Sequence, residues 1–321
     1  MTAHSLRLLL STLIDYAGLF PPAALDFKPA IAAYKTYCAD AHRWMLGRFV
    51  LPLSQLSQLE DQLDRQYSAA FWPLSVVLDP STQALEALTY WQGKQDRFTI
   101  AALEFKPCSA AAIAALLPQL PPHVSVFFEV PIDPTLPDYL PDYLAVLKGT
   151  RAAAKVRIGG PTQADFPSVE ALAHFIGACA RAEIPFKATA GLHHPLRSCQ
   201  ALPNGRWVNM HGFLNVALAA TFAYGYQVSS TEIASILQID TPSALDFSDY
   251  GITCQIPLNS KFSEIINMAG QVTLDVLSHV RSRYFQGIGA CSFQNPLAEL
   301  DRLGFLDSTF TKSAVPYALS T

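Results

Sequence analysis

The chain has 321 residues, half of them hydrophobic and only 15% charged, against a usual charged share of about 25%. It is therefore not an intrinsically disordered chain, which needs much charge and little apolar surface. The formal net charge of −4 arises from 22 Lys plus Arg and 26 Asp plus Glu, with no long run of either sign. Neither the basic stripe that binds nucleic acid nor the polybasic segment that holds a protein to a membrane is present.

Apolar, β-branched and aromatic runs alternate along the chain with stretches of helical period. They predict strands at Leu13–Leu19, Trp44–Leu51, Trp72–Leu78, Phe98–Phe105, Val124–Val130, Ala152–Ile158, Pro185–Ala190 and Trp207–His211. Between them lie predicted helices at Phe27–Cys38, Leu56–Tyr67, Gln83–Trp91, Ala110–Leu117, Asp142–Leu147 and Val169–Ala182, with a buried one at Phe213–Ala223 after the eighth strand. Asp26, Ser54, Ser81, Ser109 and Ser168 stand where helix caps are needed.

Eight such units predict an α/β fold, a (β/α)8 TIM-type barrel over residues 1–227 that carries the site. The nucleotide-binding open sheets lose their marker, since neither GxGxxG after the first strand nor GxxxxGK[ST] occurs. A mainly helical extension is expected over 228–306, with helices near Thr231–Leu237, Phe262–Tyr284 and Leu297–Leu306 and a turn at Gly287-Ile288-Gly289-Ala290, before a frayed tail at 307–321. No apolar window is long enough for a membrane span. The six cysteines include no close pair, which points to reduced thiols in a cytoplasmic protein.

Barrel chemistry gathers at the C-terminal ends of the strands, and the ionisable residues of this charge-poor chain gather there. The strands carry, in order, Asp15, Arg48, Asp79, Glu104 with Lys106, Glu129, Lys155 with Arg157, Lys187, and His211. Lys155 and Lys187 sit inside apolar strands, where a bare ammonium is costly. A buried amine with a second cation nearby is partly neutral near pH 7, the form that attacks a carbonyl to give a Schiff base. The alternative is a lysine that pairs with a strand-end carboxylate such as Glu129 and holds the barrel together.

These residues resemble the class I aldolases of the deoxyribose-phosphate aldolase type. Leu13-Ile14-Asp15-Tyr16-Ala17-Gly18-Leu19 resembles that family's first strand, and Phe127-Phe128-Glu129-Val130 its fifth. The resemblance implies Lys155 as the Schiff-base lysine and Lys187 as the second lysine, with an acidic proton relay near Glu104. Gly212–Ala223 is similar to the family's last unit, where a glycine opens a helix that receives a phosphate. The serine pair that binds phosphate there is replaced by Phe213-Leu214-Asn215, and His193-His194 and the C-terminal segment have no counterpart.

The expected enzyme is a lysine-imine carbon–carbon lyase acting on a small carbonyl compound with an anionic group, without a cofactor. Lys155 is the nucleophile, Lys187 the neighbouring cation, and Asp15, Glu104 and Glu129 orient the amines and relay protons. Arg48, Arg157, the turn glycines Gly159, Gly160, Gly191 and Gly212, the histidines His193, His194 and His211, and Asn215 hold the substrate. No nucleic acid or membrane partner is expected, and a homo-oligomer is open. One alternative is a metal-dependent lyase, isomerase or hydrolase holding a divalent metal on His194, His211 and Glu129. Another is a non-catalytic binding barrel whose charges merely pair. Cys291, with no histidine or basic residue near it in sequence, reads as a packed thiol.

Overall fold

The computed structural model describes residues 2–63, 71–93, 98–132, 140–255 and 272–306. Eight parallel strands close a barrel: β1 (Ile14–Tyr16), β2 (Leu46–Pro52), β3 (Trp72–Leu78), β4 (Phe98–Phe105), β5 (Ser125–Glu129), β6 (Ala152–Arg157), β7 (Phe186–Thr189) and β13 (Phe285–Ala290). The order around the barrel is β1-β13-β7-β6-β5-β4-β3-β2. Helices Phe27–Cys38, Leu56–Gln62, Thr82–Gln92, Ala110–Leu116, Leu140–Leu147 and Val169–Ala182 follow the first six strands, giving the (β/α)8 architecture that the alternation of patterns dictates. Ser81, Ser109 and Ser168 accept hydrogen bonds from the amides three residues on and cap their helices. Asp26 makes no side-chain cap, and Ser54 lies within a single 3-10 turn, Leu53–Gln55.

The eighth strand is Phe285–Ala290, not Trp207–His211. Trp207–Met210 is β9, paired antiparallel with β8 (Ser198–Ala201) in a two-stranded hairpin outside the barrel. Its alternation is that of a half-buried ribbon, with Trp207 66% exposed and Val208 and Met210 inward. Asn204-Gly205 makes the turn, Gly205 at φ +78°, a hairpin signal the sequence carried.

The true eighth strand reads Phe-Gln-Gly-Ile-Gly-Ala, which has poor strand propensity. Its glycines fit because neighbouring strands fill the space. A Cβ on Gly289 would lie 2.7 Å from the Thr189 hydroxyl, and one on Gly287, which holds φ +122°, 2.8 Å from the Leu13 carbonyl oxygen.

The barrel therefore does not end at 227. Residues 190–284 form a long insertion between β7 and β13, and the segment expected as an extension supplies the closing strand. The insertion holds the hairpin, helices Phe213–Tyr226 and Ser230–Leu237, and a sheet of β10 (Leu245–Phe247), β11 (Gly251–Cys254) and β12 (Val272–Thr273). Helix Leu274–Arg283 leads into β13, and Gln294–Arg302 follows it. The expected helix from Phe262 begins only at Leu274 in the described part, since 256–271 and the tail 307–321 lie outside the described residues. Helix Phe213–Tyr226 is buried on every side from Phe213 to Ala223, as an all-apolar run requires. No described helix is long and apolar enough to cross a membrane.

Candidate active site in the barrel

Side chains alternate across a strand, so residues two apart share a face. Ala102 on β4, Phe127 on β5 and Ala153 on β6 form a small apolar cluster of their own, separate from the core between strands and helices. Two residues further along these strands, on the same face, stand Glu104, Glu129 and Lys155. The strand pairing sets Glu129 beside Lys155 and Lys155 beside Lys187.

The charges form one continuous chain of alternating sign. Arg48 Nη1 lies 3.3 Å from Asp15 Oδ2, and the Arg48 backbone N–H donates to Asp15 Oδ1 at 2.6 Å. Lys187 Nζ donates to Asp15 Oδ2 at 2.5 Å and to Glu104 Oε1 at 2.6 Å. Lys155 Nζ stands 3.4 Å from Glu104 Oε2 and 3.0 Å from Glu129 Oε2. Arg157 Nε then donates to Glu129 Oε1 at 3.0 Å. The Ser75 hydroxyl donates to Glu104 Oε1 at 2.6 Å. Seven of the eight barrel strands contribute. The Lys187 side chain is wholly buried, while Arg157 is 53% exposed, so the chain runs from the barrel interior out to solvent.

Burial penalises each charge, and the partners decide the outcome. For Glu104, burial raises the carboxyl, but Lys187 and Lys155 with the Lys187 and Ser75 hydrogen bonds outweigh it and hold it far below the usual range. Glu129 is likewise lowered against its burial by Lys155 and Arg157. Burial disfavours the Lys187 ammonium, yet Asp15 and Glu104 hold it above its ordinary value. Lys187 is thus held as a cation, its charge engaged by two carboxylates rather than standing free beside Lys155. Both lysines are paired, and Lys155 has the longer contacts.

Seven of the expected residues therefore meet: Asp15, Arg48, Glu104, Glu129, Lys155, Arg157 and Lys187. Ser75 was missed because a lone serine in an apolar strand carries no signal. Asp79 and Lys106 pair with each other on the surface at 2.9 Å.

The remaining expected contacts do structural work or face elsewhere. Asn215 is fully buried; it accepts from the Arg197 amide and donates to the Ile236 and Ile239 carbonyls, so it ties the insertion together rather than holding substrate. The first two amides of its helix donate to the His194 and Pro195 carbonyls, so the phosphate-receiving terminus implied by the resemblance is already occupied. A Cβ on Gly212 would meet Asn215 Oδ1 at 2.3 Å and the Pro195 carbonyl oxygen at 2.4 Å. Gly159 and Gly191, at the ends of β6 and β7, pack backbone to backbone, a Cβ on Gly159 falling 2.6 Å from the Gly191 Cα. Gly160 packs on Asp165.

The histidines diverge. His211 Nε2 donates to the Pro167 carbonyl, and its buried Nδ1 has no partner among the described residues. His194 Nδ1 lies 2.7 Å from Glu299 Oε1, and His193 Nδ1 lies 3.9 Å from Cys291 Sγ. Cys291 thus has a histidine neighbour that its local sequence did not reveal. The alternative metal set His194, His211 and Glu129 does not assemble, because each is held by a different partner. Among the described residues no group of three or more His, Cys, Asp or Glu is placed to hold a metal.

These shifts fix the sign of the pH dependence. Burial, reinforced by His194, pushes His193 down to about 4, and burial with Arg197 lowers His211. A group with a depressed folded pKa contributes stability above its unfolded value and loses it as pH falls. The urea midpoint is expected to hold from neutrality upward. It should fall first below about pH 6.5, as the histidines of the unfolded chain protonate, and again below about 4.3 for Glu104 and Glu129. Lys187, raised, contributes below about 10.4 and loses its share only as pH climbs through its folded value. A midpoint unchanged between pH 7 and pH 5 would contradict the histidine part.

No protein-family model matches the chain, and no curated protein is significantly similar to it.

Proposed function

We propose that the barrel is a lyase that makes or breaks a carbon–carbon bond through an imine on Lys155. The observation that carries this reading is the asymmetry of the two adjacent lysines around Glu104. Lys187 is wholly buried and clamped at 2.5 and 2.6 Å, whereas Lys155 stands between two carboxylates at 3.0 and 3.4 Å. A clamped ammonium is no nucleophile; an amine with a carboxylate on each side can hand its proton over and take it back.

Lys155 passes a proton to Glu129, the nearer of its two carboxylates, and the amine adds to the carbonyl carbon of the substrate. The proton returns to the carbinolamine oxygen, water leaves, and an iminium remains. A carboxylate then removes the proton of the β-hydroxyl, the carbon–carbon bond breaks towards the iminium, and an aldehyde departs. The enamine left behind is reprotonated and hydrolysed. Lys187 stays charged throughout, keeping Glu104 ionised and Asp15 in place. Arg157 and Arg48, the more exposed ends of the charge chain, suit an anionic group on the substrate. The chemistry needs no cofactor. Six free cysteines fit a reducing compartment such as the cytoplasm.

The test is reduction with borohydride in the presence of a panel of small aldehydes and 2-oxo acids, followed by peptide mass spectrometry. A stable adduct on Lys155 is expected with at least one carbonyl class. Absence of any adduct on Lys155 across the panel would leave a barrel whose charges serve only to pair.

A further inference from the structure

A cysteine and a histidine meet where β7, β13 and β1 end. β13 is bonded between the other two, so the loops after these strands are neighbours. His193 follows β7, Cys291 directly follows β13, and Ala23 lies in the loop after β1. Cys291 Sγ is 3.9 Å from His193 Nδ1, and the backbone at Ala23 and Cys291 lowers the thiol against its burial.

Gly289 is in register with Asp15 on one side and Thr189 on the other, and Thr189 shares the face of Lys187. Two residues past Gly289, Cys291 stands just beyond the end of β13. Both Cys291 and His193 are half-buried, whereas Cys179 and Cys254 are buried.

We propose that Cys291 and His193 form a thiol–imidazole pair at the barrel mouth that adds covalently to soft carbon electrophiles of the α,β-unsaturated carbonyl class. Burial holds the thiol above its ordinary value and His193 below its own, so the resting pair is neutral and shares one mobile proton. Addition to an activated alkene uses that proton twice. The imidazole lone pair takes it as sulfur bonds to the β-carbon, the π pair moves to the α-carbon, and His193 returns the proton there. One thiol and one alkene are consumed, with nothing oxidised and no group expelled. The backbone at Ala23 and Cys291 favours the charge that develops on sulfur. The charged and titratable neighbours of His193 are His194 and Glu299, and both belong to the same loop cluster. The pair uses no residue of the charge chain and reacts whether or not Lys155 forms an imine.

N-ethylmaleimide is the probe, with the rate at each cysteine read by peptide mass spectrometry between about pH 5.5 and 7.5, in the wild type and in His193→Gln. With His193 already neutral, Cys291 is expected to react at a nearly level rate across this range, and about tenfold or more slowly in His193→Gln. The exposed Cys199 should behave alike in both proteins. A rate that climbs about tenfold per pH unit, as for a lone thiol, would overturn the proposal, as would an unchanged rate in the variant or an unmodified Cys291. Should His193→Gln not fold, the wild-type pH profile decides alone.

Discussion

Lys187→Met is expected to destabilise the barrel by about 3–5 kcal/mol, the range for removing one partner of a buried ion pair. Methionine matches lysine as far as Cε and keeps the side chain near the Phe127 ring, whose centroid lies 5.4 Å from Nζ, so the apolar packing is nearly conserved and the ammonium alone is lost. Asp15 and Glu104 then face each other without the cation between them, with the side chains of Arg48 at 3.3 Å and Lys155 at 3.4 Å as the cations left beside them. The carboxyl of Glu104 should rise from its depressed position. The deficit relative to wild type is therefore largest near neutrality and shrinks on acidification, as the carboxyls protonate. Urea denaturation at pH 7 and near pH 4.5 reads both parts. A loss below about 1 kcal/mol at pH 7 would place Lys187 among ion pairs of surface strength and contradict its role as the clamp.

Lys155→Met is expected to have the opposite profile: a modest loss of stability and complete loss of imine trapping. Each carboxylate that Lys155 touches keeps another cation, Glu104 its Lys187 and Glu129 its Arg157. The loss should thus stay at about 1.5–3 kcal/mol, that of a hydrogen bond to a charged group. Borohydride trapping should fall to background, because Lys187 cannot substitute while two carboxylates hold it. A Lys155→Met protein that still forms a reducible adduct, or that unfolds like Lys187→Met, would reverse the assignment of the two lysines.

The charge chain was legible in the sequence for a physical reason. A charge inside an apolar strand needs a partner, and in a barrel the partners sit at matching positions of other strands. Asp15, Glu104, Glu129, Lys155 and Lys187 all announced themselves in this way, and strand alternation set their common face. The eighth strand did not, since its two glycines are demanded by Thr189 and Leu13, atoms brought near only by closure of the barrel. Trp207–His211 took its place because a half-buried ribbon and a barrel strand share the same local alternation. Asn215 shows a polar residue of the other kind: it read as a ligand at a helix start, yet its three hydrogen bonds go to backbone groups that only the folded insertion presents. The Cys291–His193 and His194–Glu299 contacts span 98 and 105 residues, join loops rather than strands, and follow no period.

The division of labour between the two lysines is tested most directly by competitive labelling of the native protein with an amine reagent near pH 8, with the extent at each lysine read by peptide mass spectrometry. Lys155 is expected to be modified well before Lys187, and carbonyl compounds that trap on it should protect it alone. Equal resistance of both lysines, or earlier modification of Lys187, would contradict imine chemistry at Lys155 and leave the charge chain as a structural brace.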